Sequence, residues 1–201
     1  MSFLILAYDI ASGALGAALG ASRDVEDCRL IGASGKAILA VQGPRQGPLV
    51  TLGAALVRQQ LDSREVATRL LEEAGEPARH QILLVDARGR TVAHSGRECA
   101  PTFGHTEGMD HVAGGNGMVS ANVVGAMSLS FERSAGDPLW ERLLLALESG
   151  ERAGGNVSTT RDARLLVYRP GREDPLDLAV QDCHDPVREL RQQVAEWLSR
   201  G

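Results

Sequence analysis

The sequence predicts an α+β fold, a four-layer αββα sandwich of two mainly antiparallel sheets with helices on both outer faces. Three observations carry that expectation. Apolar runs of strand length come in pairs joined by turn-forming residues, stretches with helical spacing also come in pairs, and the two kinds alternate in blocks rather than one by one. Strands that alternate singly with helices favour a parallel doubly wound sheet, whereas paired hairpins with paired helices between them favour layers.

The first pair opens the chain. Phe3 to Tyr8 is a continuous apolar run, and Asp9-Ile10-Ala11-Ser12-Gly13 behind it is rich in turn formers, so Ala14 to Ser22 is expected to return as a second strand. That return strand is small-residue, with Gly16 and Gly20, which suits close approach by a packed layer. Arg23 to Arg29 is charged and reads as a loop, and Lys36 to Gln42 is a third, mainly apolar strand closed by Gly43-Pro44-Arg45-Gln46-Gly47-Pro48. Two helices follow. Leu49, Leu52, Leu56 and Leu61 recur at helical spacing; then Asp62 is expected as an N-cap, with Glu65 as its reciprocal partner and Leu61 packed on Val66 as a staple. Gly75 and Pro77 end this second helix.

Gln81–Val85 and Thr91–His94 form another strand pair around Asp86-Ala87-Arg88-Gly89-Arg90. Ser95 to His111 reads as polar and irregular, and His111 to Gly117 as a short strand that breaks into glycine. Loops fixed by glycine beside a strand end often carry function. Helical spacing returns over 119–133 and again behind Asp137, which is expected to cap a helix with Pro138 at its first position. This helix buries Leu139, Trp140, Leu143, Leu144 and Leu147 and is expected to stop at Gly150. After a polar loop, Ala163–Tyr168 and Leu176–Val180 flank Arg169-Pro170-Gly171, and Asp185-Pro186 opens a last amphipathic helix.

At 201 residues without a repeat or a linker, the chain is expected to be one domain, 1–201. Hydrophobic residues at 43% and charged residues at 23% suggest neither disorder nor a membrane class. Aromatics at 3% leave few stacking platforms, and a net charge of −5 offers no basic surface to nucleic acid or anionic membranes. A small-molecule substrate is the expected partner. Cys28, Cys99 and Cys183 are odd in number and widely spaced, so no disulfide framework is expected. The opening apolar run is too short to span a bilayer and lacks a signal-type cleavage pattern, which makes the cytoplasm the expected compartment. The leucine-rich helices behind Asp137 and Asp185, each with one Trp, offer faces that could pair in a homodimer.

The chemistry that stands out is at the start. If Met1 is removed, Ser2 carries a hydroxyl and a free α-amine on one residue, a nucleophile with its own base that titrates near neutral pH. Other constellations are weaker. Cys99, His105 and His111 match no common zinc spacing, so no metal is expected; Cys183-His184-Asp185 is better explained by Asp185 capping a helix. Neither a dinucleotide fingerprint nor a P-loop occurs, and no cofactor is expected.

These features together resemble the family of unknown function DUF1028, a mostly bacterial family placed among the N-terminal-nucleophile hydrolases. The resemblance rests on Ser2 to Asp9 with Gly13, Leu15 and Gly16, on Ala21-Ser22, and on Gln81 to Asp86 with Gly89-Arg90. It continues through His94-Ser95-Gly96, Cys99, Gly104-His105, Gly115-Asn116, Ala153-Gly154-Gly155, Leu165-Leu166-Val167 and His184 to Val187. It implies an N-terminal-nucleophile type of αββα fold and hydrolysis of an amide-type bond. On this sequence the nucleophile falls on Ser2, where relatives more often have Thr, and the oxyanion donor on Asn116. Asp9 and Arg23 are expected nearby as charge-setting groups, and Gly115, Gly117 and His105 as substrate-binding residues. Two departures bear on substrate and activity: Arg23 stands where relatives tend to have lysine, and Thr160-Arg161-Asp162-Ala163 where they tend to have Arg-Gln-Ser-Ala. The rival expectation is a catalytically inactive binding or scaffold protein with the same fold.

Overall fold

A computed structural model describes residues 1–22, 28–59 and 61–200. The chain runs β1 (Ser2–Asp9), β2 (Ala14–Ala21), β3 (Cys28–Ala33), β4 (Ala37–Gln42), α1 (Gln46–Arg58), α2 (Ser63–Glu73), β5 (Gln81–Asp86) and β6 (Thr91–Ser95). It continues with β7 (Phe103–Glu107), β8 (His111–Asn116), α3 (Asn122–Arg133), α4 (Leu139–Arg152), β9 (Asp162–Tyr168), β10 (Leu176–Val180) and α5 (Pro186–Ser199). Six strands form one sheet in the order β10-β9-β2-β1-β8-β7, four form the other in the order β3-β4-β5-β6, and neighbouring strands are antiparallel.

The four layers follow from strand alternation, because successive side chains of a strand point to opposite faces. Phe3, Ile5 and Ala7 of β1 join a core with Met127, Phe131, Leu143 and Leu147, under α3, α4 and α5. Leu4 and Leu6 face the other way and meet Ile38, Ala40, Leu83 and Val85 between the sheets. Leu39, Val41, Ile82 and Leu84 then pack outward on Leu49, Leu56, Val66 and Leu70 of α1 and α2. With both faces covered, β1, β4 and β5 read as continuous apolar runs rather than alternating ones. The glycines of β2 serve packing: a Cβ at Gly20 would stand 2.6 Å from the Phe3 ring.

Most elements fall where the sequence places them, and the exceptions have physical reasons. Strands β3 and β7 lie in stretches where the sequence suggests no strand; both are sheet edges, partly exposed, so neither carries a fully apolar run. Asp62 caps α2 through the Arg64 N–H at 2.9 Å, but Glu65 turns outward to Arg69 at 2.6 Å instead of completing the box. The expected cap at Asp137 is not made: Pro138 is the N-cap residue of α4 and offers no side-chain bond. Gly150 does not stop α4 either; it lies inside the helix where a Cβ would meet Met127 at 2.8 Å and Phe3 at 3.0 Å. Trp140 and Trp197 pack against the core under the helical layer. Among the described residues no helix is long and apolar enough to cross a membrane.

Candidate active site

Four strands from the two sheets end together at one edge of the inter-sheet space. Alternation assigns the side chains there: Ser2 shares the parity of Leu4 and Leu6, Gln42 that of Ile38 and Ala40, and Gln81 that of Leu83 and Val85. All three therefore point between the sheets, as the last residues of otherwise apolar rows. Ser2, Gln42 and Gln81 are 0%, 2% and 0% exposed, so each polar group must find a partner inside the protein.

They find one another. The Ser2 hydroxyl donates to Gln42 Oε1 at 2.5 Å, and Gln42 Nε2 donates to Gln81 Oε1 at 2.8 Å. Gln81 Nε2 in turn donates to Ser95 Oγ at 2.7 Å, to the Gly104 carbonyl at 3.0 Å and to the Gly115 carbonyl at 3.2 Å. Ser95 Oγ lies 2.9 Å from His105 Nδ1. The network crosses from β1 to the facing sheet and returns to β7 and β8, tying the two sheets together at this edge.

Asn116 stands opposite Ser2 in the β1/β8 register, so the two side chains share a face. Its Oδ1 accepts the Ala100 N–H at 2.8 Å, and among the described residues no acceptor takes its Nδ2 hydrogens. The Met1 carbonyl turns to β2, accepting the Ser22 N–H at 3.0 Å and the Ser22 hydroxyl at 3.2 Å. A trans peptide directs its N–H the opposite way, so the Ser2 nitrogen faces β8 and Asn116. The Met1 side chain packs on Gly117, where a Cβ would come within 2.5 Å of it and where φ is +78°.

A cleft of about 370 Å³ opens at this edge. Gln42, Gly43 and Pro44 form one wall, Glu98, Cys99 and Ala100 another, with Met1, Arg79 and Asn116 completing the lining. His80 pins the Pro44 wall, its ring nitrogens lying 2.7 Å from the Pro44 carbonyl and 2.9 Å from that of Glu76. Burial pushes the Cys99 thiol up, only partly offset by a hydrogen bond from the Gly96 backbone, so it stays protonated at neutral pH and is a poor nucleophile. A cleft of similar size, about 340 Å³, is lined by the paired Arg164 and Asp177 together with Arg29 and holds no member of the Ser2 cluster.

The expected site residues divide. Ser2, Asn116, Gly115 and Gly117 gather at this edge. Asp9 does not: it ends β1, seven residues and about 23 Å from Ser2 by strand rise, and on the helical face. There it caps its own turn through the Ser12 N–H at 3.1 Å and lies 3.6 Å from Arg142 of α4. His105 does not line the cleft; it is exposed on the edge strand β7 and, among the described residues, connects to the site through Ser95 and the two glutamines. Arg23 lies outside the described residues. Cys99, His105 and His111 do not converge, since His111 sits at the other end of β8 against Phe131, and the described residues hold no group fit for a metal. The motifs of the sequence assign no role to Gln42, Gln81 or Ser95. Parity reaches two of them once the facing of the sheets is known, counted outward from Ala40 to Gln42 and from Leu83 to Gln81, and Ser95 joins through its hydrogen bond with Gln81.

Two antiparallel sheets face to face between helical layers make a four-layer α+β sandwich, an N-terminal-nucleophile-hydrolase-like type of fold. The Anbu protein (Gly-1 mutant) of Hyphomicrobium sp. strain MC1 shares that fold at a TM-score of 0.51 and 12% identity, covering 100% of this chain and 96% of the other. More similar is a DUF1028-family protein from Silicibacter pomeroyi, with a TM-score of 0.85 and 27% identity over 97% of this chain and 88% of the other. The chain belongs to the family of unknown function DUF1028, whose model matches residues 2–190. No protein of curated function matches the sequence.

Proposed function

We propose that this protein is an N-terminal-nucleophile hydrolase that cleaves an amide-type bond of a small substrate, with Ser2 as nucleophile once Met1 is removed. One observation carries the reading: Ser2 and Asn116 share a face at the edge of the inter-sheet space, beside a cleft of about 370 Å³. Removal of Met1 frees the α-amine next to the hydroxyl and uncovers Gly117. The Ser2 Oγ then attacks the substrate carbonyl carbon while the α-amine takes its proton and passes it to the leaving nitrogen as the C–N bond breaks. The oxygen of the attacked carbonyl gathers negative charge, which the Nδ2 hydrogens of Asn116 are free to stabilise. Water then attacks the ester on Ser2 and regenerates the hydroxyl. Gly117, next to Asn116, puts no side chain into the space that Met1 leaves.

A second reading, a binding or scaffold protein without catalysis, is favoured by the complete burial of Ser2 and the engagement of its hydroxyl by Gln42. The test that separates them is a library of small amides offered to Met1-free protein and to its Ser2→Ala variant, both checked for folding. Hydrolysis by the first and not the second is the expected result. Equal turnover by both, or none by either across the library, rejects the catalytic reading.

A further inference from the structure

The direction of the buried hydrogen-bond chain is fixed at its far end, and this reaches Ser2. Amide oxygens and nitrogens differ in role: a side-chain NH₂ only donates and a carbonyl oxygen only accepts. The carbonyls of Gly104 and Gly115 stand opposite each other in the β7/β8 register, 3.0 and 3.2 Å from one terminal atom of Gln81. Two backbone carbonyls demand a donor, so that atom is Nε2 and Gln81 Oε1 must face Gln42. Gln42 then turns Nε2 toward Gln81 and Oε1 toward Ser2. A flip of either amide would set oxygen against oxygen between two side chains that are 2% and 0% exposed.

We infer that Gln81 is a positioning residue that acts through Gln42 to make the Ser2 hydroxyl an obligate hydrogen-bond donor, so that the site favours free Ser2 over its ester. The catalytic meaning of this rests on Ser2 being the nucleophile; the direction of the chain does not. An ester oxygen has no hydrogen to give, and acylation of Ser2 therefore leaves Gln42 Oε1 facing an oxygen without a donor. The penalty shortens the life of the acyl intermediate by roughly tenfold or more. Gln42 is no base, so during attack the hydroxyl hydrogen leaves Gln42 and passes to the α-amine. The same two carbonyls insulate Ser2 from His105. Whichever proton His105 carries can reorient the Ser95 hydroxyl, but it cannot reverse Gln81.

The test is side-chain amide hydrogen exchange of Gln42 by NMR, in the full chain and in its Ser2→Ala and Gln81→Leu variants. Gln42 Nε2 hydrogens are expected to be protected in the unmodified protein, to keep that protection within about threefold in Ser2→Ala, and to lose at least tenfold in Gln81→Leu. Loss of protection in Ser2→Ala would mean that Nε2 donates to Ser2 and would overturn the inference, as would an unprotected Gln42 amide in the unmodified protein. Should Gln81→Leu not fold, scalar coupling across the hydrogen bond decides. A coupling from Gln42 Nε2 to Gln81 Cδ supports the assignment, and one from Gln81 Nε2 to Gln42 Cδ refutes it. None of these readings depends on turnover, so they separate failure of the inference from failure of the hydrolase proposal.

Discussion

Ser2 and Asn116 face each other across β1 and β8, in register and on the same side of the sheet, with the Asn116 oxygen already committed to the Ala100 N–H. Opposed Cβ atoms in such a pair lie about 5 Å apart, close enough for one substrate carbonyl to touch both side chains. Asn116→Asp isolates the donor, because aspartate still accepts from Ala100 but has no N–H to offer. Its kcat on a cleaved amide is expected to fall about 10²- to 10³-fold with little change in Tm. Steady-state kinetics beside a thermal melt checks this, and a kcat within threefold of the unmodified enzyme removes Asn116 from the mechanism.

The Gln81 side chain holds four partners at the junction of two sheets: Gln42, Ser95 and the Gly104 and Gly115 carbonyls. Gln81→Leu keeps the volume and strands those groups in a dry environment. A loss of about 2–4 kcal/mol is expected from urea unfolding midpoints. A loss below about 1 kcal/mol would show that the network contributes little to holding the sheets together.

The cleft wall depends on one glycine. Gly43 has φ +135°, and a Cβ there would stand 2.7 Å from the His80 ring and 2.9 Å from the Arg79 carbonyl. Gly43→Ala combines a strained backbone with a clash against the side chain that pins Pro44, and about 1–3 kcal/mol of destabilisation is expected. Differential scanning calorimetry reads it, and an unchanged Tm would mean that the wall shifts freely.

A pH effect comes from the other end of β8. Burial lowers the His111 pKa below its ordinary 6.5, outweighing the pull of Glu132, and Nε2 lies 2.8 Å from the buried Ser128 hydroxyl. A histidine depressed in the folded state binds fewer protons there than in the unfolded chain, so stability rises with pH through this window. The contribution is complete above about pH 6.5 and drains away as pH falls from there toward the lowered folded value. Thermal melts between pH 7.5 and 5.5 are expected to show a smaller drop in His111→Gln than in the unmodified protein; equal drops would exclude His111 as the source.

Much of this was legible in the sequence, for reasons that individual residues make clear. Asp62 and Asp185 mark helix starts because their side chains do accept from Arg64 and Arg188. Ser2 stood out through its place in the chain, and Asn116 through the glycines around it. Asp9 misled because nearness in sequence along a strand is distance in space: seven residues carry it to the opposite end and the opposite face. Gln42 and Gln81 stayed hidden for another reason. Strands buried on both sides show no alternation, so nothing local says which face their terminal glutamines take. Only the pairing of the sheets supplies that.

Ser2 can supply its own base only as a chain terminus, and intact-mass measurement of the protein fraction that hydrolyses an amide reads this out. A mass lower by one methionine residue than that of the encoded chain is expected. An active fraction that keeps Met1 in full would contradict it, since the α-amine that serves as base would then be locked in a peptide bond.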